Sequence, residues 1–144
     1  MMSEAQVKEI LTQYKTVAVV GLSNTVGKPS HRVSAYLQQH GYHIIPVNPT
    51  ITEVLGEKSY KSLLDIPLEI QKTIEIVDIF RKAEDVPPIV DQAIKLKELY
   101  GRPFVVWMQL EIVNEEAAET ARKAGLIVVM DKCLMVEHKR LVHS

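Results

Sequence analysis

Short apolar runs rich in β-branched residues recur along this chain at residues 17–20, 43–47, 74–79, 104–108 and 126–130, and the segments between them carry helical spacing. A strand with apolar residues at successive positions has no solvent face and is buried on both sides. Sheets covered on both faces are built from strand, helix, strand units with right-handed crossovers. The pattern therefore predicts an α/β protein of three layers with a mainly parallel sheet of five or six strands. At 144 residues the chain has the size of one such unit, and residues 1–144 are expected to form a single domain.

Local signals place the helices. Ser3 followed by Gln6 reads as a capping box for a first helix with Val7, Ile10, Leu11 and Tyr14 on one stripe. Pro29 suits the first turn of a second helix running to about His40, with Gly41 positioned to cap it. Pro46, Asn48 and Pro49 are expected to end the second strand, because proline lacks a ladder donor. Residues 58–60 read as a short edge strand and residues 62–66 as a helical turn ended by Pro67. Pro87 and Pro88 open a helix that continues through Val90, Ala93 and Ile94 to Gly101. Asn114 is a good N-cap for the next helix, with Glu115 and Glu116 in its first turn and Gly125 at its C-terminal cap.

Several functional classes are disfavoured. A net charge of -1 lacks the basic excess of a nucleic-acid or membrane-surface binder, so neither partner is expected. The acidic N-terminus does not read as a signal peptide, and no run of about 18 apolar residues occurs. With Cys133 alone, no internal disulfide forms, and a cytoplasmic location is expected. His31, His40, His43, His138 and His143 show no metal-ligand spacing, and Glu137 with His138 is expected on the surface. No metal site and no catalytic residue is predicted.

In open parallel sheets, ligands bind beyond the carboxyl ends of the strands where strand order reverses. The loop after the first strand contains Gly21, Leu22, Ser23, Asn24 and Thr25, then Lys28, Pro29 and Ser30 at a helix N-terminus. Helix amides, hydroxyls and a lysine there favour a pyrophosphate over a loop that only turns the chain, although the G-x-G-x-x-G fingerprint is absent. The second strand ends in Pro46, Val47 and Asn48, without the carboxylate that accepts from the ribose of NAD. An adenylate bearing an extra phosphate suits Asn48, which leaves coenzyme A and NADP both open. Ile79, Phe80 and Arg81 close the third strand, Gln109 follows the fourth, and Cys133 follows the last on the ligand side. For Arg81, a phosphate contact and a solvated surface charge are equally good readings. For Phe80 and Cys133, simple packing is the competing one.

The ordered set Val17-Ala18-Val19-Val20-Gly21-Leu22-Ser23, Lys28-Pro29-Ser30, Pro46-Val47-Asn48-Pro49, Tyr60-Lys61-Ser62-Leu63-Leu64-Asp65-Ile66-Pro67, Val77-Asp78-Ile79-Phe80-Arg81, Trp107-Met108-Gln109 and Met130-Asp131-Lys132-Cys133 resembles the stand-alone CoA-binding protein family. That family is similar to the CoA-binding half of the succinyl-CoA synthetase α subunit and has a Rossmann-like, nucleotide-binding fold. The resemblance implies coenzyme A lying across the strand ends. Its phosphates would lie at Gly21 to Thr25 and Lys28, its adenosine near Pro46 to Pro49, and its pantetheine along Ile79 to Arg81 toward Gln109. Lys28 stands where many relatives have arginine, which keeps the charge and loses a bidentate fork. The resemblance does not extend to the region that supplies the synthetase's phosphohistidine, so ligase chemistry is not carried over. The expected function is binding of coenzyme A or an acyl-CoA as a carrier, sensor or accessory module, without independent catalysis. The alternatives are an NADP-dependent oxidoreductase, or an acyl-CoA enzyme acting with a partner chain.

Overall fold

The computed structural model describes residues 2–142. Helix α1 (Glu4–Gln13) starts with the capping box, in which Gln6 N–H donates to Ser3 Oγ (3.2 Å) and Ser3 N–H donates to Gln6 Oε1 (2.8 Å). It is followed by β1 (Thr16–Val20), α2 (Pro29–Gln39), β2 (His43–Val47), and a hairpin of β3 (Glu53–Val54) and β4 (Glu57–Lys58). A 3-10 turn (Leu63–Asp65) and α3 (Leu68–Gln71) lead to β5 (Ile76–Ile79), after which α4 (Val86–Tyr100) precedes β6 (Val105–Met108). The chain ends with α5 (Glu115–Lys123), β7 (Ile127–Val129) and α6 (Leu134–Leu141).

β2-β1-β5-β6-β7 form one five-stranded sheet in which every pairing is parallel. Alternate side chains divide between two cores, as the period of a strand requires. Ala18, Val20, Val77, Ile79, Val106 and Met108 pack with Val90, Ala93 and Leu96 of α4 and Ala118 of α5. Val17, Val19, Ile76, Val105 and Trp107 pack with Leu11 of α1, Leu37 of α2 and Leu134 of α6. Each large apolar side chain so buried contributes roughly 1.5–3 kcal/mol. The result is the three-layer Rossmann-like arrangement that the apolar runs predict. Among the described residues, no helix is long and apolar enough to cross a membrane.

Several local expectations are corrected. Pro46 does not end β2 but lies within it, because β2 is an edge strand and the missing donor falls outside the main ladder. Tyr60 touches that edge, its N–H donating to Pro46 O (3.1 Å) while Asn48 N–H donates to Tyr60 O (2.8 Å). The strand expected at residues 58–60 is instead the two-residue β4, paired antiparallel with β3, and Tyr60 contributes a single bridge to Val47. Helices α3 and α6 were not foreseen. Glu137 and His138, expected at the surface, are buried between α6 and its neighbours α1 and α2. Arg140 pairs there with Glu137 and with Glu4 of α1, and His138 Nδ1 lies 2.8 Å from Tyr36 Oη. His143 lies outside the described residues.

Candidate functional site

From β1 the chain crosses to β2 on one side and later places β5 on the other, so the loops leaving β1 and β5 diverge and open a crevice at their carboxyl ends. Gly21 makes that junction possible. Its N–H donates to Val47 O (2.8 Å), its φ is +92°, and a Cβ there would lie 2.5 Å from Phe80 O and 3.0 Å from Arg81 Cδ. Any side chain would wedge apart the exits of β1 and β5.

The loop beyond Gly21 is tied to the start of α2. Ser23 N–H donates to Ser30 Oγ (2.9 Å) and Thr25 N–H donates to Ser23 Oγ (3.0 Å). Lys28 is the N-cap of α2 but makes no side-chain cap bond, and Pro29 opens the first turn. The positive end of the helix thus faces the loop with exposed Asn24, Thr25 and Lys28 around it. Arg32, one turn on, donates from Nη1 to Gly27 O (3.3 Å).

A cleft of about 500 Å³ opens beside this loop, with Pro29, Arg32, Phe80, Arg81, Gln109 and Cys133 among its walls. Gln109 is buried, and its Nε2 donates to Asp78 Oδ1 at 2.6 Å. Asp78 is fully buried on β5, and its second oxygen, Oδ2, has no hydrogen-bond partner among the described residues. Burial pushes this carboxyl up to about 8, against a smaller lowering by the Gln109 amide. Near neutral pH it is therefore largely a neutral acid. Arg81 holds Asp85 (Nη2 to Oδ2, 3.3 Å) with 44% of its side chain exposed, and it also borders a smaller depression of about 290 Å³ with Val47, Pro49 and Lys61. Arg81 thus stands between two hollows that together span the strand ends. A larger concavity, about 630 Å³, lies along the start of β7 beside α1 and is remote from the switch point. The crevice rule favours the smaller cleft as the functional one.

The structure gathers Pro29, Phe80, Arg81, Gln109 and Cys133 around one cleft. Gly21, Ser23, Asn24, Thr25, Lys28 and Ser30 form the adjoining loop and helix start, with the Ser30 side chain turned inward to bond Ser23. Leu22, Pro46 and Ile79 are buried and line neither hollow, and their carbonyls accept from Asn48 Nδ2–H, Tyr60 N–H and Gln109 N–H. Val47 lines the smaller depression. Asn48 has its own structural work, donating from Nδ2 to Leu22 O (3.0 Å) and accepting from Thr50 N–H (2.9 Å) at Oδ1. Asn114 caps α5 through Ala117 N–H and also donates to Ala83 O (2.9 Å). Sequence reasoning missed Asp78, Arg32, Lys82 and the apolar rim of Leu110 and Ile112. For Asp78 the signal was an acid inside an otherwise apolar strand. For Arg32 it was a cation one turn into the helix already marked for phosphate.

Comparison with known proteins identifies a family. A family model described as a CoA binding domain matches residues 15–139. The chain is 43% identical over 136 residues to the protein YneT of Bacillus subtilis (strain 168), covering 94% of each. A solved hypothetical protein from Pyrococcus horikoshii OT3 is similar at 43% identity with a TM-score of 0.89, covering 99% of this chain and 94% of that one. The chain is also 28% identical over 124 residues to an acetate–CoA ligase [ADP-forming] of Methanocaldococcus jannaschii, spanning 83% of this chain and 17% of the ligase.

Proposed function

Because this chain belongs to the CoA binding domain family, we propose that it binds coenzyme A or an acyl-CoA across the carboxyl ends of β1, β2 and β5, as a carrier, sensor or accessory module. The observation that carries this reading is the cleft at the switch point, bounded by the α2 N-terminus on one side and by Phe80, Gln109 and Cys133 on the other. The residues present fit the group. Lys28, Arg32 and Arg81 supply cations, and the uncapped α2 N-terminus supplies amides, for the phosphates. Phe80, Leu110 and Ile112 supply an apolar wall for the pantetheine. The adenosine end falls toward Val47, Pro49 and Lys61, in a depression where Lys61 and Arg81 supply cations beside Glu84 and the Arg81-paired Asp85.

In this arrangement Gly21 lets the diphosphate approach the backbone, Lys28 and Arg32 neutralise it, and Arg81 bridges the two hollows. Calorimetric titration with coenzyme A, dephospho-CoA, NAD and NADP tests the proposal. Tightest binding is expected for coenzyme A. Equal affinity for all four, or preference for NADP, removes it.

A further inference from the structure

We propose that Gln109 reads the arm of bound coenzyme A by accepting an N–H donor at its Oε1, and that Asp78, which touches no ligand, is the positioning residue that holds the Gln109 amide that way round. The inference rests on the coenzyme A reading above and deepens it by naming a specificity-determining pair.

Gln109 follows the last residue of β6 and is 2% exposed, so little of it reaches the surface. Its backbone is already engaged, with N–H donating to Ile79 O (3.3 Å) and C=O accepting from Ile112 N–H (2.9 Å). In the side chain, Nε2 donates to Asp78 Oδ1 at 2.6 Å, and Oε1 has no hydrogen-bond partner among the described residues. The side-chain polar atoms among them that are both sealed from solvent and unpartnered are Ser34 Oγ and Asp78 Oδ2. Gln109 Oε1 is not one of these, so it reaches solvent, and the hollow that Gln109 borders is the cleft at the switch point. A residue otherwise buried and bonded thus offers the cleft one free acceptor.

The nitrogen and oxygen of an amide have nearly the same shape, so packing does not choose between them; hydrogen bonding does. Turned over, Gln109 would offer the cleft a donor instead. Asp78 Oδ1 accepts both when the carboxyl is ionised and when it carries its proton on Oδ2, and it therefore favours Nε2 facing inward. The carboxyl itself lines no hollow and is fully buried beside Ile76, Val77 and Ile79. A buried acid is costly to a fold, and among the described residues this one's hydrogen bond is to Gln109 alone. The acceptor stands beside the apolar wall of Phe80, Leu110 and Ile112. The two amide N–H groups of a pantetheine arm suit a lone acceptor there, whereas a group that only accepts would leave two oxygens facing without a proton between them.

The test is calorimetry on the full chain with two ligands, coenzyme A and adenosine 3′-phosphate 5′-diphosphate, which keeps the phosphates and lacks the arm. Gln109→Met, which keeps the length without the amide, should weaken coenzyme A about tenfold and leave the nucleotide unchanged. Asp78→Val should weaken coenzyme A at least about threefold and again spare the nucleotide, whose binding shows that the variant has folded. If Asp78→Val does not fold, Asp78→Ala carries the same comparison. In the Gln109→Met background the Asp78 substitution should have no further effect on coenzyme A affinity, because Asp78 acts only through Gln109. Unchanged coenzyme A affinity in either single variant refutes the pair, and so does equal weakening of both ligands, which a merely structural role would give. A further loss in the double variant refutes Asp78 as a positioning residue. In each of these cases the natural protein still binds coenzyme A; failure of that binding overturns both readings.

Discussion

Replacing Asp78 by Asn should stabilise the protein, and by an amount that grows with pH. In the unfolded chain the carboxyl titrates near 3.8, whereas burial in the fold pushes it up to about 8. At pH 7 folding must therefore return a proton to Asp78, and at about 1.4 kcal/mol per pH unit this costs about 4 kcal/mol. The sign follows from linkage. The folded state binds more protons than the unfolded one between these two values, so this group's contribution is fully present below pH 3.8 and is lost as pH rises toward 8. Asparagine keeps the shape and can accept the same Gln109 Nε2–H, but has no proton to recover. The stability difference between Asp78→Asn and the natural protein should accordingly rise by about 1.4 kcal/mol per pH unit, or about 3 kcal/mol between pH 5 and pH 7. Urea denaturation at several pH values between 5 and 8 measures it. A difference that stays flat across this range refutes the assignment of Asp78 as a buried neutral acid. An acid kept at such a cost is characteristic of a group held for a site.

Further outcomes are expected elsewhere in the molecule. Lys28→Glu should weaken coenzyme A binding by at least about tenfold with an unchanged circular dichroism spectrum, because it sets a repelling charge on the exposed loop proposed to hold the phosphates; unchanged affinity by calorimetry removes Lys28 from the site. Gly21→Ala should destabilise by about 3 kcal/mol in urea denaturation, since its Cβ meets the Phe80 carbonyl at 2.5 Å and its φ of +92° disfavours a side chain; full stability would mean that the exits of β1 and β5 relax freely. His138 is lowered in pKa by burial first, then by His40 and Lys15, so the unfolded chain takes up a proton there more readily than the fold does. Stability should fall as pH drops through about 6.5, and His138→Gln should flatten that fall in denaturation curves between pH 7.5 and 5. An unaltered slope would mean that some other group is responsible.

The strands were legible because a strand buried on both faces leaves an unmistakable local mark. Runs such as residues 17–20 and 104–108 have no polar face, and their spacing with helices between them implies parallel crossovers. Caps were legible for the same local reason, since Ser3 with Gln6 and Asn114 with Ala117 N–H act within one helical turn. The loop after β1 was legible as a turn into a helix N-terminus because strand, glycine, hydroxyls and helix start follow one another directly in the chain.

What the tertiary structure alone decided depends on partners distant in sequence. Helix α6 is rich in charge, and its burial follows from Glu4 and Tyr36 lying opposite Arg140 and His138 across a packed layer. Pro46 is tolerated inside β2 because that strand is an edge, a property of strand order rather than of the residues around it. Asp78 and Gln109 are 31 positions apart and meet only because β5 and β6 pair in a register that sets Ile79 beside Met108. Residue type and spacing dictate which elements form, since propensity, capping and apolar period act over a few residues. Which side chains share a cleft and which acid is stripped of water are set by sheet order and register, through contacts that exist only once the chain has closed on itself.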